Sequence, residues 1–259
     1  MLTEYQRDHI EVVLVSPRNP LNIGAAARAM ANFGFGRLAV VAPYAPNWRE
    51  ARSAVGAPEL LKDATEFTTL AEAVADCTLV AGTGTLAHRK PEQPVVPLPE
   101  FSPRVERELA RGGRVALVFG PEKHGLTRQD LSYCHVLVEV PTDVRQPSMN
   151  LGQAVAVCLY ELASRASFPN ANKQDESRVI PSAVSGSLDR LAEVIEETML
   201  TVDYSPVSIR EAYRHDLRLL LRKMALAEPD TRRLMGLFRR ILWRLQHANN
   251  NSGTSGKPK

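Results

Sequence analysis

The sequence predicts an α/β fold, in which helices cover both faces of a parallel sheet, followed by a helical C-terminal extension. Apolar, β-branched segments alternate with helical segments up to about residue 167. Strands that are apolar along their whole length are typical of a parallel sheet buried on both faces. Beyond Phe168 the chain becomes polar and contains proline, and three amphipathic helical segments follow. This change in composition indicates a linker between two structural units.

Five segments have the character of buried strands, and they begin at Ile10, Arg37, Thr78, Arg114 and His135. Segments of helical character lie between and after them, at positions 19–36, 70–77, 101–113 and 150–166. In the third of these we expect Ser102 to cap the helix, Pro103 to lie in its first turn and Gly112 to end it.

The boundaries follow from these patterns. The α/β domain is predicted to cover residues 1–167 and the linker residues 168–184. The extension is predicted to cover residues 185–247, with helices at about 188–200, 209–226 and 231–246. Because residues 249–259 include no apolar side chain, the tail 248–259 is predicted to be disordered.

Positive charge is concentrated in the extension. The formal net charge is only +3, yet ten basic and four acidic residues lie between positions 205 and 247. Such an asymmetry is typical of a segment that faces nucleic acid. Four arginines recur every four residues and so share one helix face, where they repel one another unless an anion offsets the cost. The predicted RNA-binding residues are Arg210, Arg214, Arg218, Arg222, Arg232 and Arg233, and the alternative is a solvated helix face.

The remaining bulk features favour a cytoplasmic protein. No apolar segment has the length of a membrane span, and the N-terminus lacks the apolar core of a signal peptide. The three cysteines, Cys77, Cys134 and Cys158, have neither metal-type spacing nor a disulfide pattern, so we expect no metal and three buried thiols.

The loops after the predicted strands indicate which ligand chemistry the domain carries. The first strand is followed by "SPRNPLNIG", which lacks the glycine fingerprint of dinucleotide-binding proteins, and the chain contains no P-loop. A nicotinamide-dependent oxidoreductase is therefore disfavoured. The loops "AGTGT", "FGPEKHGLT" and "VPTDVRQPSMNLGQA" follow the third, fourth and fifth strands. Because ligands bind at the carboxyl ends of strands in open α/β sheets, we expect these loops to form one pocket.

Three motifs identify a family. "NIGAAARAM", "FGPEKHGLT" and "PSMNLGQAV" resemble, in order, the signature motifs of the SpoU/TrmH branch of the SPOUT RNA methyltransferases, and the resemblance runs from Ile10 to about Arg165. It implies S-adenosylmethionine as the methyl donor, with S-adenosylhomocysteine as product, no metal, a homodimer and a C-terminal trefoil knot. Threaded chains are otherwise rare, so the knot rests on the resemblance alone.

The extension refines the expected substrate. The segments "LDRLAEVIEETML" and "DLRLLLRKM" resemble the C-terminal region of tRNA 2′-O-methyltransferases in this family. This resemblance implies methylation of a ribose 2′-hydroxyl in tRNA, at the pyrimidine in position 32 of the anticodon loop. The alternatives are a 2′-O-methyltransferase that acts on rRNA or another tRNA position, and an RNA-binding protein without catalysis.

The resemblance also implies the catalytic set, namely Arg28, Asn22, Glu122, Ser148 and Asn150. Arg28 either deprotonates the hydroxyl or, as we favour, clamps an adjacent phosphate, because free arginine keeps its charge. Its structural alternative is a salt bridge to a neighbouring helix. Asn22 can cap its helix, and the resemblance adds contact with the substrate nucleotide or orientation of Arg28, roles that are compatible with capping. Glu122 holds Arg28 or a loop amide.

Further roles follow for the third motif and the cofactor. Ser148 is expected to bind the substrate or to hold the knot loop, and Asn150 to cap the last helix of the domain. His124 is expected to have a surface role. The cofactor would be held largely by loop backbone groups, and the candidates are Thr83, Gly84, Thr85, Gly120, Gly125, Val140, Pro147, Ser148 and Met149.

Overall fold

Seven parallel strands form one sheet in the computed structural model, which describes residues 2–84, 91–165, 180–204 and 210–252. The strands are β1 (Ile10–Val15), β2 (Arg37–Val41), β3 (Thr65–Phe67), β4 (Leu79–Thr83), β5 (Val95–Pro97), β6 (Val115–Phe119) and β7 (Val136–Glu139). Their order is β3-β2-β1-β6-β4-β7-β5, and every pairing is parallel. The predicted α/β class and parallel sheet are confirmed, whereas the trefoil knot stays a prediction.

Helices cover both faces of this sheet. The helices of the domain are α1 (Glu4–Arg7), α2 (Pro20–Phe33), α3 (Pro58–Asp63), α4 (Leu70–Ala73), α5 (Leu98–Ala110), α6 (Arg128–Leu131) and α7 (Leu151–Arg165), with a 3₁₀ turn at Trp48–Glu50. Alternate residues of β1 point to opposite sides, as the pleat of a strand requires. Val12 and Leu14 pack in the cluster that contains α2, α5 and α7, and Val13 and Val15 pack in the cluster that contains α4.

Two helix starts differ from the sequence prediction. Helix α5 begins at Leu98, so Ser102 is a buried residue within it and Pro103 lies in its interior. Pro103 is tolerated because it removes only one backbone hydrogen bond near the start of the helix. Helix α2 begins at Pro20, and its cap is Asn19, whose side chain accepts a hydrogen bond from the amide of Leu21 at 3.0 Å. Asn22 therefore lies inside the helix, and its side chain is available for another partner.

The extension consists of α8 (Ser185–Thr201), α9 (Arg210–Lys223) and α10 (Glu228–Ser252), and it packs on the α/β domain. Ser182 donates a 2.6 Å hydrogen bond to Glu108 of α5, and the amide of Ser185 donates to the carbonyl of Cys77 at 2.9 Å. The guanidinium of Arg222 reaches the carbonyl of Tyr133 at 3.1 Å. Residues 168–179 of the predicted linker and 253–259 of the predicted tail lie outside the described residues, while α10 continues to Ser252.

Two further predictions concern the bulk properties. Cys77, Cys134 and Cys158 are buried free thiols, as expected. Within the described part of the chain, no helix combines the length and the apolar character that a membrane crossing requires.

Candidate active site

A cleft of about 270 Å³ lies at the carboxyl ends of β4, β6 and β7, where the three loops meet. Of the nine predicted cofactor residues, eight line it: Thr83, Gly84, Gly120, Gly125, Val140, Pro147, Ser148 and Met149. The ninth, Thr85, lies outside the described residues. The expected single pocket therefore exists, and its composition follows from the parallel sheet, since neighbouring strands end at the same edge.

Glycine shapes the wall of this cleft at two positions. A Cβ atom on Gly120 would lie 2.3 Å from the carbonyl carbon of Gly125 and from the amide nitrogen of Leu126. Gly125 has a φ of +62°, in the left-handed region where a side chain is strained. The loop after β6 can thus fold back on itself only with glycine at both places. This fold exposes backbone groups to the cleft, above the buried side chains of Phe119 and Leu126.

One chain of hydrogen bonds joins the three sequence motifs. The side-chain amide of Asn22 donates to Glu122 Oε1 at 2.7 Å. Asn150 Nδ2 donates in turn to Asn22 Oδ1 at 3.0 Å. Asn150 Oδ1 accepts from the amide of Gly152 at 2.9 Å, which confirms the predicted cap of α7. Asn22 is therefore the central link between the loop after β6 and the start of α7.

Glu122 also holds the two residues that precede α2. Its carboxylate accepts hydrogen bonds from the backbone amides of Arg18 at 3.2 Å and Asn19 at 3.3 Å. Burial raises the pKa of Glu122, but the hydrogen bond from Asn22 and those from backbone amides outweigh it, so the pKa lies below 4.5. A carboxylate at a helix N-terminus is also favoured by the helix dipole. Of the two predicted partners of Glu122, the structure shows the loop amides rather than Arg28.

Arg28 is exposed on α2 and has no salt bridge with any described residue. Its structural alternative, a salt bridge to a neighbouring helix, is therefore not found among the residues that the structure describes. Arg28 is also absent from the lining of the cleft. It shares one exposed stripe with Leu21 and Asn32, since these positions are seven and four residues away from it.

The small residues of α2 allow close packing on its neighbours. A Cβ atom on Gly152 of α7 would lie 2.7 Å from the Cβ of Ala25, and one on Gly24 would lie 2.2 Å from Ser53 Oγ. Helices α2 and α7 therefore touch almost backbone to backbone. This contact places Asn22 and Asn150 within hydrogen-bonding distance of each other.

Ser148 is exposed and lines the cleft, beside a loop that is held by the hydrogen bond from Thr142 Oγ1 to the carbonyl of Pro147 at 3.2 Å. Sequence reasoning missed Thr142 and Lys123, which also line the cleft, as does His124. A signal existed for Lys123, because it lies inside the second motif. The backbone role of Arg18 and Asn19 had no signal in their side chains.

The arginines of α9 share one face as predicted, but the anions that offset their charge belong to the protein. Glu196 of α8 accepts hydrogen bonds from Arg210 at 2.5 Å and from Arg214 at 2.9 Å. Asp189 accepts from Arg222 at 3.0 Å and lies 3.9 Å from Arg218. This arrangement holds α9 against α8.

The prediction that Arg222 lies on an exposed RNA-binding face of α9 is wrong. Its side chain is 1% exposed and pairs with Asp189, so it contributes nothing to the outer surface of that helix. The prediction was wrong because the sequence does not show which face of α9 packs against α8.

Of the predicted arginines, the two with the most exposed side chains lie on α10. The side chains of Arg232 and Arg233 are 76% and 80% exposed and pair with Glu228 and Asp230 of the same helix. Further along, Arg240 and Arg244 lie 4.7 and 5.8 Å from the ring centroid of Trp243. Trp243 is 44% exposed and stacks on His247 with ring centroids 4.3 Å apart. This end of α10 therefore presents basic and aromatic groups together.

Two clusters among the described residues have side chains of the kind that bind metals. One consists of Glu11, Asp76 and Cys77, and the other of Glu92, His215 and Asp216. Neither contributes a residue to the lining of the cleft. The cleft itself offers backbone groups and neutral side chains for the most part.

The same part of the chain matches a known family. The model of the SpoU rRNA methylase family matches residues 9–160, which contain all three motifs. The chain is 33% identical over 239 residues to the tRNA (cytidine/uridine/adenosine-2′-O-)-methyltransferase TrmJ of Pseudomonas aeruginosa, covering 92% of this chain and 87% of that protein. The tRNA (cytidine/uridine-2′-O-)-methyltransferase TrmJ of Pectobacterium atrosepticum is 32% identical over 241 residues, covering 92% and 97%.

A solved structure agrees with these matches. The crystal structure of TrmJ from Z. mobilis ZM4 has a TM-score of 0.77 at 30% sequence identity, covering 89% of this chain and 98% of that chain. Because the three alignments cover about nine-tenths of the chain, they include helices of the extension as well as the α/β domain.

Proposed function

Because this chain belongs to the SpoU rRNA methylase family, we propose that it transfers a methyl group from S-adenosylmethionine to a ribose 2′-hydroxyl of tRNA. The observation that carries the proposal is the hydrogen-bonded chain from Glu122 through Asn22 to Asn150. It connects all three motifs beside a cleft at the carboxyl edge of the sheet. A network that connects all three motifs is expected of an active site rather than of an RNA-binding protein that has lost catalysis.

The cleft suits S-adenosylmethionine, whose sulfonium carries the methyl group that the reaction transfers. Gly84, Gly120 and Gly125 present backbone groups that can bind the polar edges of a nucleoside. Val140 and Met149 offer apolar surface for its base. Eight of the nine residues predicted to bind the cofactor line this cleft. The proposal includes no metal.

We assign the work on the substrate to Arg28 and Ser148. With the cofactor bound, the 2′-hydroxyl oxygen would take the methyl group, S-adenosylhomocysteine would leave, and the hydroxyl proton would pass to water. The hydroxyl therefore needs to be held and polarised. Arg28 carries a charge that no described carboxylate neutralises, which favours its role as a phosphate clamp beside that hydroxyl. Ser148, exposed at the cleft, can hydrogen-bond the substrate. Glu122, Asn22 and Asn150 keep these elements in register.

The relatives favour tRNA and pyrimidine nucleosides as targets, because both TrmJ proteins are named as tRNA methyltransferases that act on cytidine and uridine. We propose position 32 of the anticodon loop as the target nucleotide. We propose the cytoplasm as the location, since reduced, unpaired thiols such as the three buried cysteines are usual there.

A homodimer is the assembly that the exposed faces of α2 and α7 support. Leu21 on α2 is 54% exposed, and Tyr160 on α7 is 58% exposed and packs edge-on against Phe33. Arg28 lies on the same face of α2 but does not line the cleft of its own chain. We propose that two copies pair through these helices, so that Arg28 of each copy serves the cleft of the other.

We propose α10 as the main RNA surface of the extension, with Arg232 and Arg233 at its start and Arg240, Trp243 and Arg244 nearer its end. Arginines neutralise phosphates, and an exposed indole offers a surface on which a base can stack. Arg210 and Arg214 keep side chains 46% and 41% exposed beside Glu196 and remain secondary candidates.

The direct test is a methyl-transfer assay with labelled S-adenosylmethionine on separate tRNA and rRNA pools, followed by nuclease mapping of the labelled nucleoside. We expect label on a pyrimidine ribose in the tRNA anticodon loop. Label in rRNA would support the chemistry and contradict the target. Cofactor binding with no label on either RNA would contradict the enzyme itself and favour a silent RNA binder.

A further inference from the structure

A second cavity lies where the extension meets the α/β domain, away from the cleft. It has a volume of about 280 Å³ and is lined by α5, by Thr78 and His135 just before strands β4 and β7, and by residues of the extension at 182–188 and at the end of α9. Four arginines line it, namely Arg104, Arg107, Arg111 and Arg222, and Glu108 is the one acidic residue among its lining.

Arg104 and Arg107 of α5 and Arg111, the residue that caps its C-terminus, point to the same side, because these positions are spaced by three and four residues. None of them has a salt bridge to any residue that the structure describes. Burial, together with the neighbouring charge of Arg107, lowers the pKa of Arg104, whereas Glu108 has the opposite effect. The positive charge on this wall is therefore only partly compensated by the protein.

Arg222 closes the opposite wall and is almost wholly buried. Its Nε donates to the carbonyl of Tyr133 and one terminal nitrogen to Asp189, whereas the other, Nη1, has no hydrogen-bond acceptor among the described residues. Asp189 also lies near Arg218, so one carboxylate serves two guanidinium groups. An uncompensated buried donor is costly, and it favours an anion nearby.

His135 adds a neutral hydrogen-bond donor to the same cavity. Burial, followed by the charges of Arg222 and Arg104, lowers the pKa of His135 to about 3. Its Nδ1 accepts a hydrogen bond from the amide of Val80 at 3.0 Å, so in the neutral ring the proton is on Nε2. The ring thus adds no positive charge, and Nε2 can donate to an oxygen.

We propose that this cavity is a binding site for a phosphate group, distinct from the methyl-transfer cleft. A carboxylate is satisfied by one guanidinium fork, whereas a phosphate offers several anionic oxygens and suits several arginines at once. Glu108 does not neutralise the cavity. Its single negative charge offsets one of the four arginines, and its carboxylate also accepts a hydrogen bond from Ser182. The phosphate comes either from a small free anion or from the backbone of bound RNA.

The test is calorimetric titration of the full-length protein with inorganic phosphate at constant ionic strength, with chloride and acetate as comparison anions. Arg107 and Arg111 are exposed, so Arg107→Gln and Arg111→Gln are expected to fold. Each should weaken phosphate binding about tenfold, as loss of a charged hydrogen bond implies. Arg52→Gln removes one charge from an exposed site outside the cavity and should leave the affinity unchanged.

Phosphate binding no stronger than that of chloride or acetate would overturn the proposal, as would equal affinity in all the variants. A second titration identifies the source of the phosphate. If RNA supplies it, Arg107→Gln should weaken tRNA binding, and saturating phosphate should weaken wild-type binding equally. If the site binds a free anion, neither Arg107→Gln nor saturating phosphate should change the affinity for tRNA. Because the readout is phosphate affinity, its result is independent of whether methyl transfer occurs.

Discussion

At the scale of single residues, the site depends on one amide. Asn22 donates to Glu122 and accepts from Asn150, so it uses both ends of its side chain. Aspartate has the same shape but cannot donate, and it would place a second negative charge beside Glu122. The identity of this residue is therefore fixed by its two partners, and not by capping, which Asn19 performs.

Glu122→Gln should make the stability of the protein less dependent on acid. The pKa of Glu122 is lowered in the folded state, so its ionised form stabilises the fold above pH 4.5, and this contribution is lost as the pH falls through the folded value. We expect the variant to be about 0.5–1 kcal/mol less stable at pH 7, because solvent screens the charged hydrogen bonds of this exposed carboxylate. The difference should shrink as the pH falls below 4.5 in urea unfolding.

Glu106→Gln is the matched control, because Glu106 has no hydrogen bond or salt bridge among the contacts of the described residues. It should change the stability little at either pH. A loss for Glu122→Gln that stayed constant from pH 7 down through the acid range below pH 4.5 would contradict the role of the ionised carboxylate.

Arg28→Ala should abolish methyl transfer and leave the affinity for S-adenosylmethionine nearly unchanged, because Arg28 does not line the cleft. Single-turnover methylation and equilibrium binding of the cofactor measure the two effects separately. A parallel loss of both would argue against the proposed phosphate clamp. Ser148→Trp, which fills the cleft, provides the opposite control, since it should abolish cofactor binding itself.

Sequence motifs predicted the composition of the site better than its contacts. Eight of the nine cofactor candidates line one cleft, because loops at the ends of neighbouring parallel strands must meet. Which group binds the carboxylate of Glu122 depends on where the chain runs just before α2. The motif sequence does not specify that path. The amides of Arg18 and Asn19 are backbone groups, so their role leaves no mark in residue type.

At the scale of helices and strands, the contact of α2 with α7 positions the site. Their close approach depends on small residues at the crossing, and Gly152 meets Ala25 there. A one-carbon change at this point should therefore affect both packing and the distance between Asn22 and Asn150.

Gly152→Ala should destabilise the protein by about 1–3 kcal/mol, because its Cβ would overlap that of Ala25 in a well-packed contact. Gly236→Ala is the control within α10, where a Cβ atom meets nothing within 4 Å and helix propensity should add about 0.5–1 kcal/mol. Thermal unfolding of both variants measures the difference. Equal stability of the two would contradict the tight crossing.

The elements that sequence reasoning missed are those with the weakest local signal. Strands β3 and β5 have three residues each and lie at the two edges of the sheet, so neither forms a long apolar segment. The start of α5 was displaced because Ser102 and Pro103 resemble a helix start, whereas the apolar side chains of Leu98 and Phe101 extend the helix into the core. Burial outweighed the local capping signal there.

At the scale of the whole molecule, pairing in a homodimer can be tested by mixing inactive variants. If Arg28 serves the cleft of the second copy, a heterodimer of Arg28→Ala with Ser148→Trp has one complete site. We expect co-refolded mixtures to recover about a quarter of the wild-type activity, since half of the randomly paired dimers are mixed and each has one of two sites. Recovery of none would show that Arg28 acts within its own chain.

Binding of tRNA should depend on the exposed face of α10. Arg240→Gln should weaken binding and reduce the slope of log affinity against log salt concentration by about one, as expected for one lost phosphate contact. Arg52→Gln, on the α/β domain, should alter neither quantity. Filter binding from low to moderate salt measures both, and an unchanged slope for Arg240→Gln would contradict the assignment of α10.

The order of strands in the sheet has a consequence for synthesis of the protein on the ribosome. Strand β1 is the first to emerge, and β2 can pair with one of its edges soon afterwards. Its other edge pairs with β6, so that edge stays open until Val115–Phe119 has been made. Open apolar edges of this kind attract other chains. The time for which this edge can attract other chains is therefore set by how fast the hundred or so residues between β1 and β6 are made, and it ends when the central pair of strands closes.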